Sequence, residues 1–264
     1  MKKHAILFII LFALFISIPS FSTTTNYFVY DNYGGNWSDA DKTKINTEDD
    51  LMCWAAAVSN ILSWAGWSAS YSNADAIFAA FQYYWTDQGS LMSYGWDWWL
   101  NGTLPYYGTT SSYVDVSGGG NYYSYILFAN YYHEETNDSQ VMSAIADYLT
   151  NGYGTTIGIY SVTIAHALTV WGYSYDENGT YTGIWVTDSD DYGTSDLLQY
   201  YNVVYKNGKW YLQNYYGYND IYIGLVEALE RNSTASSVPV PATSWLMGSG
   251  LLGLIWIRRK LGKH

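Results

Sequence analysis

The sequence predicts an α+β protein in which helices come first and an antiparallel β-sheet follows. Three segments have helical patterns: 51–64, 73–84 and 139–149. Six later segments are rich in β-branched and aromatic residues and read as strands: 155–160, 164–175, 180–187, 197–205, 210–216 and 221–228. Asn-Gly pairs at 178–179 and 207–208 are typical of tight hairpin turns. This order favours N-terminal helices packed on an antiparallel sheet.

The first helix carries the only cysteine of the chain, Cys53. We expect Asp49 or Asp50 to cap this helix and Gly66 to end it. Cys53 then lies in the first turn, where free backbone N–H groups and the helix dipole favour a thiolate. The neighbouring carboxylates oppose that charge, so a reactive Cys53 requires a base nearby.

The longest hairpin supplies such a base. If Asn178-Gly179 forms the turn, residue i faces roughly residue 357 − i, which places His166 near position 191. The acidic cluster of Asp188, Asp190 and Asp191 then returns beside the imidazole. One hairpin therefore delivers a histidine and a carboxylate to the same edge of the sheet, as a nucleophilic cysteine needs.

Each of these residues also has an ordinary interpretation. A cysteine before an alanine run is usually a small buried hydrophobe, and a strand histidine usually bonds to a neighbour. The stretch DSDDYG matches part of a calcium loop, but Tyr192 stands where the third oxygen ligand belongs and no Glu closes the loop. We therefore predict neither a metal nor a cofactor.

The two ends of the chain predict export. Residues 1–22 combine a basic start, an apolar run and a small-residue exit, which is typical of a secretory signal peptide; an uncleaved anchor helix is the alternative. Residues 232–237 form a polar linker, and 238–264 contain a Val-Pro-Val-Pro-Ala-Thr box, an apolar segment and a basic cluster. This tail resembles the PEP-CTERM sorting signal that exosortases process, with Val240 where Glu is usual. A plain C-terminal anchor helix is the alternative.

Charge and composition exclude one class of partner. All 23 acidic residues but only five of the 11 basic ones lie in 23–231, so this part has a net charge of −18. Such a body repels phosphate backbones, and nucleic acid is not an expected partner. A single cysteine cannot form an internal disulfide, which is unusual in an exported protein unless the thiol reacts. The 30 Tyr and 13 Trp residues fit either β strands or a glycan-binding surface.

Two longer motifs resemble the immunoglobulin-degrading (IdeS/Mac) cysteine peptidases. They are DDLMCWAAAVSNILSW, around Cys53, and HALTVWGYSYDENGTYTGIWVTDSDD, from His166 onward. The resemblance covers mainly residues 44–65 and 155–192 and implies a papain-like fold for residues 23–231. It also implies that Cys53 is the nucleophile, His166 the general base, Asp188 the residue that orients the imidazole and Asp190 a second acid.

The same resemblance implies a lysine at the oxyanion hole, for which Lys44 is the nearest counterpart. The predicted function is an exported, surface-sorted cysteine endopeptidase that acts on a protein or peptide. It is first held in the inner membrane by its tail and processed by an exosortase-type enzyme, and then resides in the periplasm, at the cell surface or in the medium. The alternatives are a non-catalytic adhesin or glycan-binding protein on the same scaffold, and a transferase with Cys-His-Asp chemistry.

Overall fold

The computed structural model describes residues 23–43, 49–104, 106–107, 111–112, 116–191 and 198–233. The helices are α1 (Val29–Tyr33), α2 (Cys53–Trp64), α3 (Ala74–Tyr84), α4 (Met92–Asn101) and α5 (Val141–Thr150), with a 3-10 turn at Phe128–Asn130. The strands are β1 (Thr25–Phe28), β2 (Tyr106–Tyr107), β3 (Ser111–Ser112), β4 (Tyr132–Glu135), β5 (Gly154–Tyr160), β6 (Ala165–Tyr175), β7 (Tyr181–Thr187), β8 (Gln199–Lys206), β9 (Lys209–Leu212) and β10 (Tyr222–Leu229). The predicted signal peptide, Lys44 and the C-terminal tail lie outside these residues.

The predicted fold class is wrong. Strands β5 to β10 form a closed antiparallel barrel in the order β6-β5-β10-β9-β8-β7, and β7 pairs with β6 again to close the ring. β1 adds to β6, β4 adds to β10, and β2 pairs only with β3. The described chain is thus a mostly β fold with a few helices, and not the papain-like α+β arrangement of helices on a sheet that we expected.

Local bends in two strands account for the closure. The β6–β7 register shifts between Val170 and Gly172, and the β10–β5 register shifts between Ile223 and Leu225. Such bulges bend a strand and increase its twist, which allows a sheet to close on itself. Hydrophobic alternation reveals each strand separately but not these bends, so the sequence patterns led to an open sheet.

The long hairpin and strands β5 to β10 were predicted, whereas β1 to β4 were not, and the strand predicted at 210–216 ends at Leu212. Gly179 has a φ of 78°, as the tight turn between β6 and β7 requires. Tyr173 pairs with Ile184, as the expected register demands, and beyond the first bulge Thr169 pairs with Thr187, one residue out of register. The hairpin therefore brings the chain that follows β7 back beside the start of β6.

The core explains the tryptophan content. Six Trp side chains are almost completely buried: Trp54, Trp67, Trp96, Trp98, Trp99 and Trp171. Gly95 lets α4 approach α2 closely, because a Cβ at this position would lie 2.8 Å from the ring of Trp54. Burying a large apolar side chain contributes roughly 2–3 kcal/mol, so this aromatic cluster holds the helices together.

One buried amide ties α2 to the barrel. The Nδ2 of Asn60 donates to the hydroxyl oxygen of Thr169 on β6 at 3.1 Å and to that of Thr187 on β7 at 3.4 Å. Its Oδ1 accepts from the backbone N–H of Ala40 at 2.9 Å. The N-terminal segment, the cysteine-bearing helix and the hairpin therefore meet at one fixed point. None of the helices described is long and apolar enough to cross a membrane.

Candidate active site

Cys53 is the first residue of α2 and is partly exposed. The expected carboxylate cap is absent: Met52 is the N-cap residue, and its side chain makes no capping hydrogen bond. Asp49 is engaged elsewhere, because its Oδ2 accepts from the backbone N–H of Thr43 and from the Nε2 of Gln82, both at 2.8 Å. The first backbone bonds of α2 run from Ala55 and Ala56 to the oxygen of Met52, so the N–H groups of Cys53 and Trp54 have no intrahelical acceptor.

His166 lies on β6 opposite Ile159 of β5 and is 9% exposed. Its Nε2 is 2.7 Å from the Oδ1 of Asp188, just beyond the end of β7. Because Nε2 bonds to the carboxylate, Nδ1 is the nitrogen left for the thiol of Cys53. The hairpin thus brings together the histidine and the carboxylate as the sequence predicted.

Asp190 lies at the edge of the same cluster. Its backbone N–H donates to the Oδ1 of Asp188 at 3.0 Å, and its Oδ2 is 3.7 Å from the Nδ1 of His166. Its Oδ1 forms an ion pair with the Nζ of Lys42 at 2.6 Å. Asp190 therefore supports Asp188 through its backbone and faces the other side of the imidazole with its carboxylate.

The charges of the cluster are coupled. Burial raises the pKa of the Cys53 thiol, but the attraction of His166, hydrogen bonds from His166 and from the N–H of Ala167, and the charge of Lys42 outweigh it and lower the pKa overall. Burial lowers the pKa of His166, but Cys53 and Asp188 oppose this and raise it to about 10. The arrangement favours a thiolate beside an imidazolium.

Lys42 is the cation of the site, and sequence reasoning missed it. Its Nζ also donates to the backbone oxygen of Asp50 at 2.7 Å, and its backbone N–H donates to the oxygen of Ser189 at 3.2 Å. The predicted Lys44 lies outside the described residues. The only signal for Lys42 was its position upstream of Cys53, because its contacts come from distant parts of the chain.

A cleft of about 790 Å³ opens at the thiol. Its lining includes the chain that leads into α4, from Gly89 to Met92, and the start of β6 around Ile164. Three tyrosines of the chain between β9 and β10 also line it: Tyr215, Tyr216 and Tyr218. The rim is partly apolar, since Leu51 is 55% exposed, so the cleft has the size and lining to accept a short stretch of polypeptide.

Two clusters in the described chain have the composition of metal sites. His166, Asp188 and Asp190 form one, and Asp39, Asp41 and Asp191 form the other; in each, ligand atoms lie within 4.8 Å of one another. The first cluster is already occupied by the hydrogen bonds and ion pairs above. The oxygens of the second suit a hard cation such as Ca²⁺ by ligand type alone.

The other histidine of residues 23–231, His133, is not among the residues that line the cleft. It is on β4, opposite Ala228 of β10. Its Nε2 is 2.8 Å from the Oε1 of Glu230, and its ring stacks on Tyr153 at 4.7 Å. His133 is therefore a histidine satisfied by its neighbours.

Comparisons with known families address both the body and the tail. Residues 125–216 match the model of the Mac 1 (IdeS/Mac) family. The matched range contains His166, Asp188 and Asp190, but Cys53 lies before it. Residues 237–260 match the PEP-CTERM protein-sorting motif, so the predicted sorting signal is confirmed and implies processing by exosortase-type machinery. No curated protein matches the chain significantly.

Proposed function

We propose that this protein is an exported cysteine endopeptidase of the IdeS/Mac type. The observation that carries the proposal is the position of His166 between the thiol of Cys53 and the carboxylate of Asp188, at the wall of an open cleft. A lowered thiol pKa and a raised imidazole pKa are what nucleophilic catalysis by cysteine requires.

In the proposed reaction the Cys53 thiolate attacks the carbonyl carbon of a peptide bond. The imidazolium of His166 then gives its proton to the leaving amine, and an acyl-enzyme with a thioester remains. Water attacks the thioester while His166 takes a proton from it, and the carboxylic acid product leaves as the thiolate returns. Asp188 orients the imidazole and stabilises its positive charge throughout.

The oxyanion of each tetrahedral intermediate needs donors. The backbone N–H of Cys53 is the first of its helix and has no intrahelical acceptor, so we assign it as one donor. The nearby cation of the described cluster is Lys42, and we assign it the electrostatic role expected of Lys44. Asp190 holds Lys42 by the ion pair at 2.6 Å.

The proposed domain layout follows from the two ends and the barrel. Residues 1–22 direct export, 23–231 form the catalytic domain, 232–237 are the linker and 238–264 are the sorting tail. The sorting motif at 237–260 supports export and anchoring through the C-terminus. After processing, the domain would act at the cell surface or in the medium.

The alternative of a glycan-binding surface is less well supported. Eight of the tryptophans are buried in the core and are unable to stack on a sugar. A transferase that uses the same thioester is the second candidate, because an open cleft of about 790 Å³ has room for an amine in place of the attacking water.

The test is digestion of a broad peptide library by the folded protein, with the Cys53→Ser variant as the control. Cleavage by the parent and not by the variant supports the proposal. Products that gain the mass of one water indicate hydrolysis, whereas products joined to a second amine indicate transfer. A parent that leaves every peptide intact, under conditions in which Cys53 reacts with iodoacetamide, would contradict the peptidase function.

A further inference from the structure

A short loop between β9 and β10 borders the cleft and contacts the site. In this loop, residues 213–220, the backbone N–H of Tyr218 donates to the oxygen of Tyr215 at 2.8 Å. The N–H of Asn214 donates to the Oδ1 of Asn219 at 2.9 Å. Tyr216 has a φ of 45°, which is uncommon for a bulky residue and costs on the order of 1 kcal/mol. The loop is therefore a tight turn held by its own hydrogen bonds.

Tyr215 directs its hydroxyl group at the buried carboxylate. Its O–H donates to the Oδ2 of Asp188 at 2.8 Å, and its side chain is 4% exposed. The ring packs against Tyr201 at 5.2 Å and against the edge of Tyr216 at 4.9 Å. Burial and the charge of Asp188 both raise the pKa of Tyr215, so it stays protonated and acts only as a donor.

The two oxygens of Asp188 therefore have separate partners. Oδ1 accepts from His166 and from the backbone N–H of Asp190, whereas Oδ2 accepts from Tyr215. The last torsion of an aspartate is broad and roughly two-fold, so a carboxylate held at one oxygen only is free to rock or exchange its oxygens. The bond from Tyr215 removes that freedom and aims Oδ1 at the imidazole.

We propose that Tyr215 is a positioning residue of the site: its hydroxyl fixes the Asp188 carboxylate, and through it the tautomer and orientation of His166. Its effect on rate rests on the proposed function, whereas its effect on the His166–Asp188 hydrogen bond does not. Tyr215 touches neither the thiol nor a substrate carbonyl in this role. Its loss would therefore act on turnover more than on substrate binding.

The first experiment measures the hydrogen bond itself by proton NMR. In the inactive Cys53→Ser background, the His166 Nε2–H proton should give a far-downfield, slowly exchanging resonance, assigned by its absence from a His166→Ala variant. Tyr215→Phe keeps the ring contacts and removes only the hydroxyl, so we expect this resonance to broaden or disappear. Tyr205→Phe, on β8 with a half-exposed ring, is the matched control and should keep it. An unchanged resonance in folded Tyr215→Phe would overturn the proposal.

The second experiment measures peptide cleavage. Removing one hydrogen bond to a charged group should lower kcat about tenfold in Tyr215→Phe while KM stays within about twofold. The acid limb of the pH profile should move to higher pH, because Tyr215 helps to lower the pKa of Asp188. An unchanged kcat and pH profile would overturn the positioning role. If the parent cleaves nothing, the NMR result still decides on Tyr215, and only the proposed peptidase function fails.

Discussion

Asp188 and Glu227 are both buried with no exposed surface, yet the pKa values of their carboxyl groups move in opposite directions. Burial raises the pKa of Asp188, but bonds to His166, Asp190 and Tyr215 reverse the effect and lower it. Burial also raises the pKa of Glu227, and there the donors do not overcome it. The comparison shows that the charge of a buried acid depends on its partners and not on its depth.

The surroundings of Glu227 explain the difference. Its Oε2 accepts from the backbone N–H of Ser93 at 3.3 Å, and its Oε1 accepts from the hydroxyl of Tyr132 at 2.8 Å. Glu134 lies directly opposite on β4, and its Oε2 is 2.7 Å from the same Tyr132 hydroxyl. One hydroxyl proton cannot satisfy both carboxylates, and no cation faces the pair among these contacts. The surroundings of Asp188 therefore favour its charged form, whereas those of Glu227 favour its protonated form.

The largest expected effect comes from removing the charge of Asp188. Asp188→Asn keeps the shape of the side chain but loses the carboxylate that stabilises the imidazolium. Peptide cleavage, measured as kcat/KM, should fall by about 10³-fold or more. Asp190→Ala should cost less, because its carboxylate is 3.7 Å from the imidazole and it supports Asp188 through its backbone.

Glu227→Gln is the matched control for that experiment and should change cleavage by no more than about twofold. Equal losses in the Asp188 and Glu227 variants would erase the contrast between the two acids. Equal activity of Asp188→Asn and the parent would show that Asp188 is only structural.

A smaller effect is expected on the free energy of unfolding when Glu227 is replaced by glutamine. Because the folded pKa of Glu227 is raised, its favourable contribution is present below the unfolded pKa and is lost as pH rises through the folded value. Glu227→Gln removes that loss and should increase the free energy of unfolding by about 1–3 kcal/mol at pH 7. The gain should shrink as pH falls toward 4. Urea denaturation at several pH values checks this, and a variant that is less stable at every pH would mean that Glu227 is a satisfied carboxylate like Asp188.

The smallest expected effect is on the reactivity of the thiol when the charge of Lys42 is removed. This charge is among the lesser causes that lower the pKa of Cys53. Lys42→Met keeps the aliphatic stem and should raise the pH midpoint of thiol alkylation, which slows the reaction at pH 6 by about three- to tenfold. Lys209→Met is the control, because Lys209 pairs with Asp138 outside the cleft lining. Equal midpoints in the parent and the Lys42 variant would remove Lys42 from the electrostatics of the site.

Sequence reasoning located strands β5 to β10 and the β6–β7 hairpin because both depend on local patterns. Hydrophobic alternation and the Asn178-Gly179 turn fix the β6–β7 register to within one residue, and this register brings Asp188 to His166. Sequence reasoning did not predict the closed barrel. The closure depends on bulges and on the pairing of β7 with β8 as well as with β6. Sequence reasoning also missed α4, whose Gly95 and clustered tryptophans give no clear helical signal but pack closely on α2.

The parts of the site that were missed come from distant segments. Lys42 reaches the cleft because Ala40 is bonded to Asn60 and Lys42 itself to Ser189. Tyr215 reaches Asp188 from a loop 27 residues further along the chain. Neither contact follows from spacing alone, since each depends on how the barrel closes.

The most direct test of the central claim, that Cys53 is a thiolate paired with the imidazolium of His166, is the pH dependence of its alkylation by iodoacetamide. The lowered thiol pKa predicts fast labelling of the folded parent at pH 6, well below the ordinary thiol range. In His166→Ala the burial of the thiol is no longer opposed by the imidazolium, so the midpoint should move to the ordinary value or above it. The same midpoint in both proteins, or labelling of Cys53 only after unfolding, would contradict the account.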